Sequence, residues 1–248
     1  MITLKTAAEL AEMRRAGQIA AIALQKAGEA VRPGVTTAEI DKLVYDYIRS
    51  VGAIPSFLGY EGYPASACIS INDVVIHGIP DGRVIREGDI VSIDIGSIYN
   101  GFHGDNAATF AAGEISEEAA RLLRVTEESL YKGIDMARKG NRLGDVSSAV
   151  QRHCEDAGYD LVTDYTGHGI GREMHEAPQV PNVGTPGRGV RLVSGMTIAI
   201  EPMVNGRGRE VKLERDGWTV RTRSGSLSAH FEHTVAITDA GPVILTRP

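Results

Sequence analysis

The chain has 248 residues, of which 42% are hydrophobic, and its formal net charge is −6. This length is sufficient for one large domain or two small ones with a substantial core. The negative charge argues against a sequence-specific nucleic-acid surface, and no uninterrupted apolar run approaches the length of a membrane span.

The start of the chain, MITLKTAAEL, has no apolar signal core, so we expect a cytoplasmic protein. The chain contains two cysteines, Cys68 and Cys154, and they form no CxxC pattern. Two isolated thiols in a chain without a secretion signal are expected to remain reduced.

Two capping boxes predict two helices in the first 52 residues. Thr6 and Glu9 have the spacing of a capping box, and so do Thr36 and Glu39. We expect the first helix to run to about residue 30, where an Arg-Pro-Gly sequence ends it, and the second to end near Gly52.

The next segments, 66–80 and 88–111, have the composition of strands and hairpins. Asn100-Gly101 is a strong signal for a two-residue hairpin turn. With this turn, residue 94 pairs with residue 107, so Asp105 becomes a diagonal neighbour of Asp94 on the same face of the hairpin.

The second half of the chain follows the same plan. Ser116 predicts the start of a helix that runs to about residue 138, a further helix covers about 143–157, and the chain from 161 onward alternates strands with glycine-rich turns.

Two pairs of segments are similar in sequence, and the members of each pair are separated by nearly the same number of residues. Residues 32–52 align with 138–158, and 87–96 align with 194–203, which places Asp94 opposite Glu201. Chance similarity between amphipathic segments is the alternative. We predict a duplicated α/β fold in which residues 1–248 form one catalytic domain, with pseudo-repeats of approximately 1–112 and 113–248.

Three predicted strands share one design, because side chains alternate along a strand. Segments 89–95, 196–201 and 231–237 each have a bulky face and an opposite face of small residues with a single acid. These acids are Asp94, Glu201 and Glu232, and Asp105 joins them through the hairpin.

Four carboxylates in one cleft require positive charge, and the strand cores supply no Arg or Lys beside them. Divalent metal ions fit this requirement, and bridging carboxylates hold two ions in dinuclear hydrolases. The alternative is that these acids are separate surface residues.

Histidines in two similar HGI contexts add nitrogen ligands. His168 and His175 lie in YTGHGIGREMHEAPQ, and His77 lies in NDVVIHGIP. Neutral imidazole is a common metal ligand, although each of these histidines could instead be a satisfied structural residue. Four further histidines carry weaker signals, and we assign no role to His230 and His233; the other two are His103 and His153.

The ordered residues Asp94, Asp105, His168, Glu201 and Glu232, with the motifs HGIP, GDN, GHGIG, IEPM and FEHT, resemble the type I methionine aminopeptidases of peptidase family M24. The resemblance covers essentially the whole chain. It implies a duplicated pseudo-two-fold "pita-bread" α/β fold, in which an antiparallel sheet is flanked by helices.

The resemblance also implies roles for the site residues. Asp94 would hold one metal ion, Asp105 and Glu232 would bridge two ions, and His168 and Glu201 would complete the second site. The two divalent ions would be Co, Mn, Fe or Zn. A monovalent cation is a further expectation, near Asn72, Val74 and Ser228.

The implied activity is removal of the N-terminal methionine from newly made proteins and peptides. A metal-bridged hydroxide would attack the first peptide carbonyl, and Glu201 would shuttle the proton to the leaving amine. His77 and His175 would contact the substrate and the tetrahedral intermediate.

An apolar side-chain pocket is expected beside the metal site, with ordinary core packing as the alternative. Met174 and Phe57 depart from the residues found in some members, which affects the shape of this pocket. The candidate lining residues are Phe57, Tyr60, Tyr63, Cys68, Met174 and Trp218.

Two alternative functions remain from the sequence alone. One is an Xaa-Pro peptidase-like hydrolase of the same fold, and the other is a non-catalytic peptide-binding member. We expect a monomer that acts on nascent polypeptides in association with the ribosome, without membrane contact.

Overall fold

A computed structural model of the chain describes residues 2–248. It confirms the predicted mixed α/β class, with antiparallel sheets flanked by helices. The helices are α1 (Ala7–Ala30), α2 (Thr37–Ser50), α3 (Glu117–Met136) and α4 (Leu143–Asp156), with one 3-10 turn at Tyr60–Gly62. The strands are β1 (Ile54–Pro55), β2 (Cys68–Ile71), β3 (Val74–Ile76), β4 (Ile90–Tyr99), β5 (Phe102–Ala111), β6 (Asp160–Leu161), β7 (Gly167–Gly169), β8 (Glu176–Val180), β9 (Thr197–Ile200), β10 (Met203–Asn205), β11 (Val211–Leu213), β12 (Val220–Thr222), β13 (Ser228–His230), β14 (Glu232–Thr238) and β15 (Gly241–Ile244).

The helices begin at the predicted caps. The Thr6 hydroxyl accepts a hydrogen bond from Glu9 N at 3.3 Å, and the Glu9 carboxylate accepts one from Thr6 N at 3.0 Å. Thr36 and Glu39 make the same reciprocal pair at the start of α2. Ser116 accepts from the backbone of the first turn of α3. These bonds satisfy amide donors that a helix start leaves free.

The hairpin of β4 and β5 has the predicted register. Asn100 and Gly101 both have positive φ angles, 49° and 76°, as a type I′ turn requires. Asp94 therefore pairs with Ala107, and Asp105 lies two residues before Ala107 on β5. The two carboxylates consequently share one face of the hairpin.

The nine-stranded sheet joins the two halves of the chain at its centre. Its order is β1-β4-β5-β14-β9-β7-β8, with β2 beside β4 and β15 beside β14. The halves meet where β5 pairs with β14, and β4 and β9 occupy the matching outer positions. Helices α2 and α4 are both 14 residues long. The duplication of the sequence itself stays a prediction.

Two smaller sheets complete the β-structure. Strands β13, β10 and β6 form one, and β11, β12 and β3 form the other. Strand β3 lies in segment 66–80, which the sequence predicts as strands and hairpins, and the other strands lie in the part from about 161 onward that it predicts as strands with glycine-rich turns. The first of these sheets matters for the site because β10 follows Glu201 and β13 ends at His230.

The bulky faces of the predicted strands pack against the helices. Ile93 and Ile95 of β4 join a cluster with side chains of α1 and α2, whereas Ile198 of β9 and Val235 of β14 join a cluster with α3 and α4. These four side chains are completely buried. Full burial of such a side chain contributes about 1.5–3 kcal/mol, so this face stabilises the fold.

Helix α1 approaches the hairpin closely through glycines. A Cβ placed on Gly104 would lie 2.4 Å from Gly17 N. A side chain at residue 104 would therefore push α1 away from β5, which would shift the strand that carries Asp105.

Both cysteines are buried and unpaired, as expected. Among residues 2–248, no helix is long and apolar enough to cross a membrane.

Candidate active site

One cleft of about 180 Å³ collects the residues that the sequence predicts as metal ligands. They come from both halves of the chain, on strands that present their small faces to the cleft. The five residues are Asp94 on β4, Asp105 on β5, His168 on β7, Glu201 directly after β9 and Glu232 at the start of β14.

The separations between these side chains suit a shared ion. His168 Nε2 lies 3.8 Å from Asp105 Oδ2 and 3.5 Å from Glu201 Oε1. One ligand atom each from Asp105, His168 and Glu232 lies within 4.8 Å of the other two. These distances exceed those of good hydrogen bonds, whereas metal–ligand bonds of about 2.0–2.2 Å place two ligand atoms at such separations.

Several carboxylate oxygens in the cleft have no partner. Asp94 Oδ1, Asp105 Oδ1 and Glu232 Oε1 are buried without a hydrogen bond from any part of the described chain. Uncompensated buried charge is costly, so these oxygens, when ionised, require a cation. The donor set of carboxylate oxygens and imidazole nitrogen fits divalent metal ions.

Burial also sets the protonation of the cleft. It raises the pKa of Asp94, Glu201 and Glu232, and the nearby Asp105 charge raises each of them further. Burial raises the pKa of Asp105 to about 7. Burial lowers the pKa of His168 to about 3, which keeps the imidazole neutral and able to bind metal.

The two other predicted histidines also line the cleft. His175 Nδ1 lies 2.8 Å from the Tyr60 hydroxyl, and its ring centroid is 4.3 Å from that of His168. His77 has a positive φ of 57°, and its ring meets Trp218 edge-on at 6.3 Å. Both imidazoles therefore line the same cleft as the acids, and His175 is oriented by the Tyr60 hydroxyl.

The predicted pocket residues lie next to the acids. They form one apolar cluster, in which the Tyr63 and Trp218 rings make an edge contact at 5.1 Å. The cleft is lined by all six, Phe57, Tyr60, Tyr63, Cys68, Met174 and Trp218.

The three residues predicted near a monovalent cation are close together. Ser228 N donates to Asn72 O at 2.9 Å, and Val74 begins β3 two residues after Asn72. Asn72 adopts a positive φ of 59°, and its side chain bonds to Asp89 and to the backbone of Ile90.

Sequence reasoning missed His230 and Tyr165. His230 Nε2 lies 3.6 Å from Glu201 Oε2 and 4.0 Å from Glu232 Oε2. The signal was available, because residues 230 and 232 lie on the same side of an extended segment. Tyr165 lines the cleft and makes an edge contact with His77 at 5.9 Å.

A buried ion pair that the sequence does not predict anchors the segment before β8. Lys5 pairs with Glu176, and the Lys5 side chain is 3% exposed. The Glu176 carboxylate also accepts a hydrogen bond from Arg172 N at 2.9 Å. The amino-terminal segment thus holds the loop that carries Met174 and His175.

Comparisons with known proteins agree with this geometry. The family model described as metallopeptidase family M24 matches residues 11–239. A methionine aminopeptidase of Clostridium acetobutylicum is 56% identical over 247 residues, which cover 99% of each chain. Methionine aminopeptidase 1 of Bacillus subtilis is 49% identical over 247 residues, which cover 100% of each. The crystal structure of methionine aminopeptidase from Thermotoga maritima has a TM-score of 0.99 at 46% identity and full coverage of both chains.

Proposed function

The chain belongs to metallopeptidase family M24, and from this membership we propose that it is a metal-dependent aminopeptidase that removes N-terminal methionine from newly made polypeptides. The similar chains named methionine aminopeptidase support this activity, as does the shared pita-bread fold. The observation that carries the proposal is the group of buried carboxylate oxygens without partners beside a neutral imidazole.

We propose that Asp94, Asp105, His168, Glu201 and Glu232 hold two divalent ions, with Asp105 and Glu232 shared between them. Bound ions would supply an acidified water as nucleophile and would polarise the scissile carbonyl. The oxygen and nitrogen donors accommodate Co, Mn, Fe and Zn.

The chain's own residues would then direct the reaction. The carboxylate cluster lines the cleft and would receive the free α-amino group of the substrate, which an internal peptide bond does not have. Glu201, whose side chain lines the cleft, would take a proton from the nucleophile and return it to the leaving amine.

His175 would stabilise the developing oxyanion. If the Tyr60 hydroxyl donates to Nδ1, the imidazole carries its proton on Nε2 and presents a donor to the substrate. His77, beside Trp218, would also contact the substrate.

The apolar cluster beside the acids would receive the methionine side chain. Contacts between its thioether and the rings of Phe57, Tyr63 and Trp218 would contribute about 0.3–1.5 kcal/mol each. Cys68 and Met174 would complete the wall of the pocket.

We further propose that residues 1–248 form a single catalytic domain with halves of about 1–112 and 113–248, and that the protein is a cytoplasmic monomer. A monovalent cation near Asn72, Val74 and Ser228 belongs to the same proposal. Ribosome association is supported by segment 207–223, which holds six basic residues and three acidic ones.

The test begins with protein stripped by a chelator and reloaded with single ions. We expect metal-dependent release of methionine from Met-Ala-Ser, and no cleavage of Ala-Pro-Ser or of N-acetylated Met-Ala-Ser. Cleavage of Ala-Pro-Ser would instead favour the Xaa-Pro peptidase, and cleavage of the acetylated peptide would refute anchoring through the amine. Binding without turnover would indicate the non-catalytic member.

A further inference from the structure

We infer that His230 is a positioning residue for the proposed reaction, in which its Nε2–H donates to Oε2 of Glu201 and fixes the direction of that carboxylate. The inference deepens the proposed function and rests on it. None of the predicted ligand or substrate roles includes this histidine.

The Glu201 carboxylate lies between two imidazoles. Its Oε1 is 3.5 Å from His168 Nε2, on the side of the predicted metal ligands. Its Oε2 is 3.6 Å from Nε2 of His230. One oxygen is therefore available to the ion site while the other faces His230.

Within residues 2–248, no other group offers a hydrogen-bond partner to His230 Nε2. The residue is 2% exposed, and its Nε2 has no hydrogen-bond partner in the described structure. A buried imidazole N–H left without an acceptor is destabilising. The acceptors that face this nitrogen are the carboxylates of Glu201 and Glu232, and Glu201 is the nearer. A closure of under about 1 Å makes this contact a hydrogen bond.

The backbone of His230 is held firmly. His230 N donates to the Thr109 hydroxyl at 3.0 Å, and the same hydroxyl donates to His230 O at 2.9 Å. Strand β13 pairs with β10, with His230 opposite Met203, and Glu201 lies two residues before Met203. The donor and its acceptor are thus carried by adjoining parts of one strand ladder, so the ring can fix the carboxylate.

Direct metal binding by the ring is the competing role. One ligand atom each from Glu201, His230 and Glu232 lies within 4.8 Å of the others. The two roles differ in what can replace histidine: a donor role is met by the amide of glutamine, whereas glutamine is a poor substitute for an imidazole ligand.

The test compares His230→Gln with the donor-free variants His230→Leu and His230→Met. We expect the donor-free variants to lower kcat on Met-Ala-Ser by about 10- to 100-fold, with a smaller change in KM, and to weaken Mn²⁺ binding measured by calorimetry. His230→Gln should recover most of both quantities. His233→Leu is the matched control, because His233 bonds instead to the Thr246 hydroxyl, and it should retain the wild-type kcat.

Two outcomes would overturn the inference. Either the donor-free variants keep wild-type kcat and Mn²⁺ affinity, or His230→Gln loses as much as they do, which would indicate a metal ligand. Failure of the wild-type protein to release methionine would reject the proposed function instead, and the calorimetric comparison would still decide whether His230 acts as a donor.

Discussion

The two faces of β4, β9 and β14 are made of alternate residues of the same strands. One face stabilises the folded protein, and the other destabilises it. The face toward the helices buries side chains such as Ile93 and Ile198 completely. The face toward the cleft buries carboxylates whose oxygens have no partner among residues 2–248. The comparison teaches that the apolar face supplies the stability that lets the same strands carry a destabilising site.

Glu232→Gln attacks the cleft face and should have the largest effect. The variant removes the charge of a predicted bridging ligand, so we expect activity on Met-Ala-Ser to fall by more than about 100-fold. Mutating a residue that only hydrogen-bonds to a metal ligand typically costs less than this. At pH 9 the metal-free variant should be more stable than the metal-free wild type, because one of the mutually repelling carboxylates is gone. Peptide assays and thermal unfolding measure the two effects. A less stable metal-free variant would contradict this account of the cleft.

Ile93→Ala attacks the apolar face of β4, one residue before Asp94. We expect a loss of about 2–5 kcal/mol in the free energy of unfolding, because the side chain is completely buried among side chains of α1 and α2. Urea denaturation of the metal-free protein measures it. Ile198→Ala, on the face of β9 toward α3 and α4, should behave similarly, and a clear difference would show that the two clusters are not equivalent.

The pH dependence of the stability of the metal-free protein tests the effect of the buried carboxyl groups on the cleft face without any mutation. The acids have raised pKa values in the folded state, that of Asp105 being about 7, so their protonated forms favour folding and this contribution is lost as pH rises. The cleft histidines are neutral in the folded state near neutral pH, and in the unfolded state they are almost fully deprotonated by about pH 7.5, one unit above their ordinary pKa. We therefore expect the unfolding temperature to fall between about pH 7.5 and pH 9, and Mn²⁺ to remove that fall. A stability that is flat with pH in the metal-free protein would contradict the prediction.

Ser116→Ala affects neither face and should have the smallest effect. The Ser116 hydroxyl accepts from Ala119 N at 3.1 Å at the start of α3. Losing this cap should lower stability by about 1 kcal/mol, measured by urea denaturation, with kcat unchanged. Ser116→Asp preserves an acceptor and should keep most of the stability. A change in kcat would show that α3 is coupled to the cleft.

Local chemistry explains how much of the structure the sequence could predict. The capping residues Thr6 and Thr36 determine helix starts through bonds to their own first turns. The Asn100-Gly101 turn fixes the register of the hairpin, and alternation then assigns Asp94 and Asp105 to one face. These features depend on a few neighbouring residues, so the sequence is sufficient to predict them.

Features that depend on distant contacts were harder to predict. His230 becomes part of the cleft only because β13 pairs with β10, which brings it to Glu201. The pairing of Lys5 with Glu176 joins residues of different predicted halves that are 171 positions apart in the chain. Local spacing places His230 on the same side as Glu232, but it gives no signal for the contact with Glu201 or for the contact between Lys5 and Glu176, since histidines and lysines are common in exposed positions.

The junction of β5 and β14 has a mechanical consequence. The strands pair there only at Ala107 with Glu232 and at Asn106 with His233, and the Thr234 hydroxyl adds bonds to the backbone of Asp105. Ions held by carboxylates from both strands would cross-link β5 and β14 at this short pairing. Under a mechanical force that separates the two halves, the metal-bound protein would resist separation of β5 from β14, whereas the metal-free protein would separate there first. The supply of metal would then determine mechanical stability as well as turnover.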